Sequence, residues 1–265
     1  MRTIPRLAVV LALALTGCAG TQTTPTPEAR SALTPMGKLR VGFISGSPIH
    51  ATKDVASGEF KGVAVDLGKE MARRLGAPFE PVAYTSVPAL IAGAKNGEWD
   101  VATMGINAER ASVVDFTAPY MEVEFSYLVP QGSRISALAE VDRPGVRIGV
   151  VEKSSPDAYL AGTIRSATLV RSSTIADMVE SLQARRVDII FGTKAGMYSQ
   201  AEKFAGSHLL EGRSGGEKAG MATPKGRDQS AAYARQFVES AKAQGLVKAA
   251  IERAALRGVV VSPRE

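Results

Sequence analysis

The sequence predicts an α/β protein of two lobes, each an open sheet flanked by helices. Three observations predict it. Strand and helix signals alternate from Leu39 onward, the signature of a parallel sheet with crossover helices. The same alternation then runs a second time from Val146. Several strands also end in turns rich in Ser, Gly and Pro, the places where open parallel sheets hold ligands, beyond the carboxyl ends of their strands.

The elements follow in order. Leu39-Arg40-Val41-Gly42-Phe43-Ile44 reads as a strand ending in the turn Ser45-Gly46-Ser47-Pro48, and Gly58 to Gly62 reads as another turn. Val65, Leu67, Met71 and Leu75 fall at helical spacing with Gly76 as the stop. Phe79 to Tyr84 is a strand, Val87 to Ala94 a short helix with Pro88 near its start, and Asp100 to Met104 a third strand. In the second unit Val146 to Val151 is a strand, and Ser154-Ser155-Pro156-Asp157 opens a helix that continues to Ile164. Thr168 to Arg171 is a strand, Thr174 to Arg185 a helix and Val187 to Phe191 a strand. The tail, Ala231 to Val247 and Lys248 to Leu256, reads as two helices. The halves echo each other: Leu39-Arg40-Val41-Gly42 matches Val146-Arg147-Ile148-Gly149, and Trp99-Asp100-Val101 matches Val187-Asp188-Ile189. Internal symmetry of this kind implies related lobes with a cleft between them.

The N-terminus is of another character. Arg2 and Arg6 precede an apolar run from Leu7 to Leu15, a signal-peptide pattern too short for a permanent spanning helix. Leu15-Thr16-Gly17-Cys18 reads as a lipobox, and Cys18 is the chain's only cysteine. Lipidation at Cys18 would use up a thiol otherwise left over in an exported protein. We therefore expect a signal peptide over 1–17 and a lipidated, flexible tether over 18–36, where Thr, Pro, Ala and Gly dominate. The protein would be exported and lipid-anchored to the cell envelope.

Composition excludes other classes. The chain is 265 residues long with 45% hydrophobic and 22% charged residues, ordinary for a globular body. The net charge of +6 comes from scattered basic residues with only 6% aromatics, which argues against a nucleic-acid surface and mildly favours anionic ligands. No nucleophile elbow, phosphate loop or metal-ligand spacing is present, so neither a cofactor nor a metal is expected.

The most informative stretch is Met104-Gly105-Ile106-Asn107-Ala108-Glu109-Arg110, followed by Ala111 through Pro119-Tyr120. A guanidinium fixed just past a buried strand matches both oxygens of a carboxylate. The alternative role for Arg110 is an ion pair with Glu109 or Asp115. With Leu39-Arg40-Val41-Gly42, Gly58 through Leu67, Pro88-Ala89-Leu90-Ile91, Trp99-Asp100-Val101, Gly145 through Val150 and Val187-Asp188, this stretch resembles the bacterial extracellular solute-binding proteins, family 3. The likeness spans Gly37 to about Pro263.

The resemblance implies a two-lobed periplasmic-binding-protein fold of type II, with lobe one over 37–122 and 221–265 and lobe two over 123–220. It implies closure by a hinge. It implies a monomer that captures a small carboxylate-bearing solute, an amino acid or related organic acid, and delivers it to an ABC permease without altering it. It places the ligand carboxylate on Arg110, assisted by Thr103 and Gly105. Ser154 and Ser155 match a Thr-Thr pair at a lobe-two helix start, where free N–H groups favour an anion; simple helix capping is their alternative role. Three positions depart from the family pattern. Thr193 stands where an aspartate often meets the ligand ammonium, Ser47 lies where an aromatic platform is usual, and Val87 takes a second aromatic position. Lys153 replaces a usual glycine and Lys194 adjoins Thr193; the two either serve a second acidic group on the ligand or are solvated surface residues.

Asp66, Asp100 and Asp188 stand out as acids; Asp100 and Asp188 start buried strands in equivalent places and are expected to be structural, and Trp99 a packing residue. His50 lies in the first cleft turn, and His50 and His208 form no metal pair by spacing. The competing function is a cyclohexadienyl or arogenate dehydratase on the same scaffold. Such an enzyme needs a poised acid, for which Glu122, Glu124 and Glu152 are the candidates.

Overall fold

The computed structural model describes residues 24–264. The signal segment over 1–17 and Cys18 lie outside the described residues. The chain opens with α1 (Pro27–Leu33), followed by β1 (Leu39–Ile44), the small hairpin β2 (Thr52–Lys53) and β3 (Phe60–Lys61), α2 (Val63–Leu75), β4 (Phe79–Tyr84), α3 (Val87–Lys95), β5 (Val101–Gly105) and α4 (Ala108–Ala111). A long strand, β6 (Val114–Val129), leads to β7 (Arg147–Val151), α5 (Ser155–Thr163), β8 (Thr168–Ser172), α6 (Ile175–Gln183), β9 (Ile189–Thr193), α7 (Lys194–Ala201) and β10 (His208–Leu209). The chain returns through β11 (Gly216–Pro224) and ends with α8 (Asp228–Ala243), α9 (Leu246–Arg253) and β12 (Val259–Val261).

The main sheet has strand order β4-β1-β5-β11-β6-β9-β7-β8. It is two parallel half-sheets joined through β6. In the first, β1 runs parallel to β4 and β5. In the second, β7 runs parallel to β8 and β9. The long β6 serves both: Val114 to Glu124 pair with β11, and Phe125 to Leu128 pair with β9. The return strand β11 also joins β5, where Ala219 pairs with Gly105. Its register slips on either side of Gly220, a bulge of the sort that bends a strand.

Each half-sheet has its own core. In the first, Leu39, Val41 and Phe43 of β1 pack with Leu67 and Met71 of α2 and Phe237 of α8. On the opposite face Trp99 packs with Leu90, Met104 and Ala222, and its indole N–H donates to the Leu90 carbonyl at 2.9 Å. In the second, Ile148, Val150, Phe191 and Leu160 form one cluster, while Met178, Leu182, Ile190 and Met197 form another. Gly76 ends α2 with a left-handed φ of 61°, the conformation glycine adopts without a Cβ penalty.

The tether expected over 18–36 is corrected over part of its length. Residues Pro27–Leu33 form α1, capped by the Thr26 side chain, with Pro27 in its first turn. Ala29 and Leu33 are buried in the lobe-one core, and Arg30 Nη2 donates to the Gly76 carbonyl at 3.0 Å. Composition hid an Ala29/Leu33 pair four residues apart, which lies on one helical face.

The three aspartates hold structure. Asp100 and Asp188 each precede a central strand and clasp the arginine at the start of its neighbour, Arg40 and Arg147 respectively. Asp66 pairs with Arg253 at 3.0 Å.

Candidate functional site

A cavity of about 110 Å³ lies where the two half-sheets face each other. A water needs roughly 10–15 Å³ of such space, so a small organic molecule fits and a polymer does not. Its wall includes residues at or just past the carboxyl ends of five parallel strands: Ile44 of β1 with Gly46 to His50 beyond it, Thr85 after β4, Met104 and Gly105 of β5, Val151 of β7, and Thr193 of β9. This is the location that open parallel sheets provide. Ile175, at the start of α6, packs on the Trp99 cluster of lobe one and on the Met178 cluster of lobe two. The lobes therefore meet through apolar contact beside the cavity.

Arg110 is the central polar group. It sits on the one-turn helix α4, whose N-cap Asn107 accepts from the Arg110 amide at 2.8 Å. Its side chain is buried, with only 6% of the residue exposed. One guanidinium nitrogen, Nη1, donates to the Gly105 carbonyl at 2.7 Å and reaches Ser155 Oγ at 3.4 Å. The other, Nη2, donates across the cleft to the Lys153 carbonyl at 3.0 Å. The ion-pair alternative does not hold: Asp115 pairs with Lys225 at 4.0 Å, and Glu109 forms no salt bridge among the described residues. A buried guanidinium held mainly by neutral carbonyls keeps a strong demand for a carboxylate.

The other predicted residues divide. Gly105 lines the cavity, and a Cβ there would overlap the Glu217 carboxylate and crowd Ser155 Oγ at 2.6 Å; this is close approach that only glycine permits. Ser154 lines the cavity, but its hydroxyl caps α5, accepting from Asp157 N at 3.2 Å and donating to the Val151 carbonyl at 2.6 Å. Ser155, the first residue of α5, is the member of the pair that meets Arg110. Thr193 caps α7, accepting from Gly196 N at 3.2 Å, and also lines the cavity. Ser47 lines the cavity as a buried residue. Thr103 is corrected: it is fully buried behind the wall, with its hydroxyl 3.1 Å from His50 Nδ1.

His50 itself lines the cavity. Burial, aided by the Arg110 charge, pushes its pKa down to about 4, so it is neutral near pH 7. Neither lysine lines the cavity. Lys194 Nζ is engaged by Glu124 at 2.7 Å, and Lys153 contributes its carbonyl. Lys153 adopts φ 58°, the left-handed conformation that glycine takes easily and a lysine takes at a cost of about 1 kcal/mol.

Sequence reasoning missed Glu217. It stands on the return strand β11, lines the cavity, and its carboxylate lies against Gly105 and Ser155. Burial raises its pKa, opposed by the Ser155 hydroxyl and the Arg110 charge. No local pattern in Gly216-Glu217-Lys218-Ala219 announces this position, because the return crossing alone sets it. Glu122, Glu124 and Glu152 do not line the cavity. Among the described residues there is no group of three potential metal ligands, and no helix is long and apolar enough to cross a membrane.

Comparison with known proteins agrees with this geometry. The chain is 26% identical over 251 residues to the ABC transporter glutamine-binding protein GlnH of Bacillus subtilis, covering 90% of each chain. Among solved structures, an amino acid ABC transporter substrate-binding protein from Streptococcus pneumoniae bound to L-arginine superposes with a TM-score of 0.76 at 21% identity, covering 87% of this chain and 99% of that one. An ancestral amino-acid-binding protein, a precursor of cyclohexadienyl dehydratase, gives 0.73 at 22% identity, covering 84% and 98%. The profile of the bacterial extracellular solute-binding proteins, family 3, matches residues 39–254. The buried arginine between two half-sheets and the match along most of the chain agree, and the protein belongs to that family.

Proposed function

We infer that this protein is the substrate-binding component of an ABC importer for amino acids. One observation carries the reading: Arg110 stands buried in the interlobe cavity with the Gly105 and Lys153 carbonyls and the Ser155 hydroxyl on its donors, and among the described residues no carboxylate forms a salt bridge with it. A ligand carboxylate would displace the Lys153 carbonyl and bridge Arg110 to Ser155 at the start of α5, so that binding and closure reinforce each other. The lobes, 37–122 with 221–265 and 123–220, would turn about β6 and β11, the two strands that join them. Delivery to a permease, a monomeric state and a lipid anchor at Cys18 belong to the same reading. Mass spectrometry of the mature N-terminus tests the anchor; an unmodified cysteine or a cut elsewhere would remove it.

The protein is proposed to bind without chemistry. The dehydratase alternative needed an acid in the cleft, and the three residues advanced for it lie elsewhere; Glu217 is the acid that lines the cavity. Calorimetric titration with a panel of amino acids tests the function, since a ligand specific to the folded state also raises apparent stability. Saturable binding and recovery of unchanged ligand support it. Turnover of prephenate or arogenate would replace it with the enzymatic reading.

A further inference from the structure

Two formal charges of opposite sign line the cavity, Arg110 and Glu217. They meet at one end. The Gly105 carbonyl takes Arg110 Nη1 at 2.7 Å, while the Glu217 carboxylate lies against the Gly105 Cα, and Ser155 Oγ approaches both. An α-amino acid carries its carboxylate and ammonium about one atom apart, so this pair matches a zwitterionic head group. Thr193 cannot neutralise an ammonium, and Glu217 supplies the missing anion from another element. Burial disfavours its charged form, a penalty that a bound ammonium would offset.

The rest of the lining is uncharged and mostly apolar. Met104 comes from lobe one, and Met178 and Met197 from lobe two. Ile175 packs between their clusters. Gln200 brings a single amide. Among the described residues no second carboxylate lines the cavity to receive a side-chain guanidinium or ammonium. Methionines mould around flexible aliphatic or thioether groups.

Resting on the reading of the cleft as an amino-acid site, we propose that the ligand is an α-amino acid with an apolar, flexible side chain, its carboxylate on Arg110, its ammonium on Glu217 and its side chain against Met104, Met178 and Met197. Titration calorimetry on the purified chain decides this, with L-leucine, L-methionine, L-arginine, L-glutamine and the α-keto acid analogue of leucine as probes. Leucine or methionine should bind at least about tenfold more tightly than arginine or glutamine, and the keto acid at least about tenfold more weakly than leucine. Glu217→Gln should weaken leucine more than its keto acid and so shrink the gap between them to under about threefold. Tighter binding of arginine or glutamine, lost in Arg110→Ala, would overturn the apolar preference and leave the importer reading intact. Equal affinity for leucine and its keto acid would remove Glu217 from ammonium recognition. Failure of every probe to bind would overturn both readings.

Discussion

In lobe one, Asp100 receives the Arg40 amide at 3.0 Å, Nε at 3.0 Å and Nη2 at 2.7 Å. In lobe two, Asp188 receives the Arg147 amide at 2.7 Å, Nε at 3.2 Å and Nη2 at 2.8 Å. The clasp is the same and its depth is not: the side chains of Arg40 and Asp100 are 15% and 0% exposed, those of Arg147 and Asp188 42% and 36%. Lobe one also brings Arg110 and His50 to the cleft, whereas lobe two brings capping hydroxyls, the Lys153 carbonyl and, from the return strand, Glu217. The lobe that carries the buried guanidinium is the one whose clasp is sealed from water. Lobe two faces the cavity with the starts of α5 and α7, and a helix start attracts an anion without a charged side chain.

That contrast can be broken at its strongest point by Asp100→Ala. It leaves the Arg40 guanidinium without its carboxylate in a buried site, and denaturant unfolding should show a loss of about 3–5 kcal/mol. A loss below that of the lobe-two equivalent would refute the difference in depth. Arg110→Ala should weaken ligand binding by about 2–5 kcal/mol, the usual cost of removing one partner of a buried charge pair; unchanged affinity would take Arg110 out of the site.

His50 gives lobe one a pH dependence. Its pKa near 4 in the folded chain lies below the ordinary value of 6.5. Between those values the unfolded chain binds the proton and the folded chain does not. The His50 contribution to stability is therefore complete above about pH 6.5 and falls as pH drops toward 4, by on the order of 3 kcal/mol in all. His50→Phe should flatten that part of the pH–stability curve; an unchanged slope would show that His50 is not buried neutral. Asp188→Ala should cost about 1 kcal/mol or less, because solvent already screens its partner. Lys153→Gly relieves a left-handed backbone and should change stability by under about 1 kcal/mol, with sign set by the balance between strain and unfolded-chain entropy. Its use is to show, by an affinity that stays the same, that Lys153 meets Arg110 through its carbonyl.

Much of this architecture was readable in advance. Alternating apolar periods located β1, α2, β4, α3 and β5 within a residue or two, and the repeat of Arg40 and Asp100 as Arg147 and Asp188 marked two related lobes. The long β6 and the return strand β11 were not read as strands, because their pairing is with segments far away in the chain. Helix α1 was taken for tether because its burial depends on a groove that only the folded core supplies. In the cleft, Arg110 stood out because a local motif carries it.

By itself the sequence determined the strand–helix alternation, the internal echo and the arginine poised past β5, since each depends on neighbours within a few residues. Only the tertiary structure decided what faces that arginine. It placed Thr103 behind the wall, turned Lys194 toward Glu124, gave Lys153 a role through its carbonyl, and brought Glu217 back beside Gly105. The physical reason is that a cavity is enclosed by side chains from separate crossings of the chain, and their convergence is fixed by sheet pairing and packing rather than by spacing along the sequence.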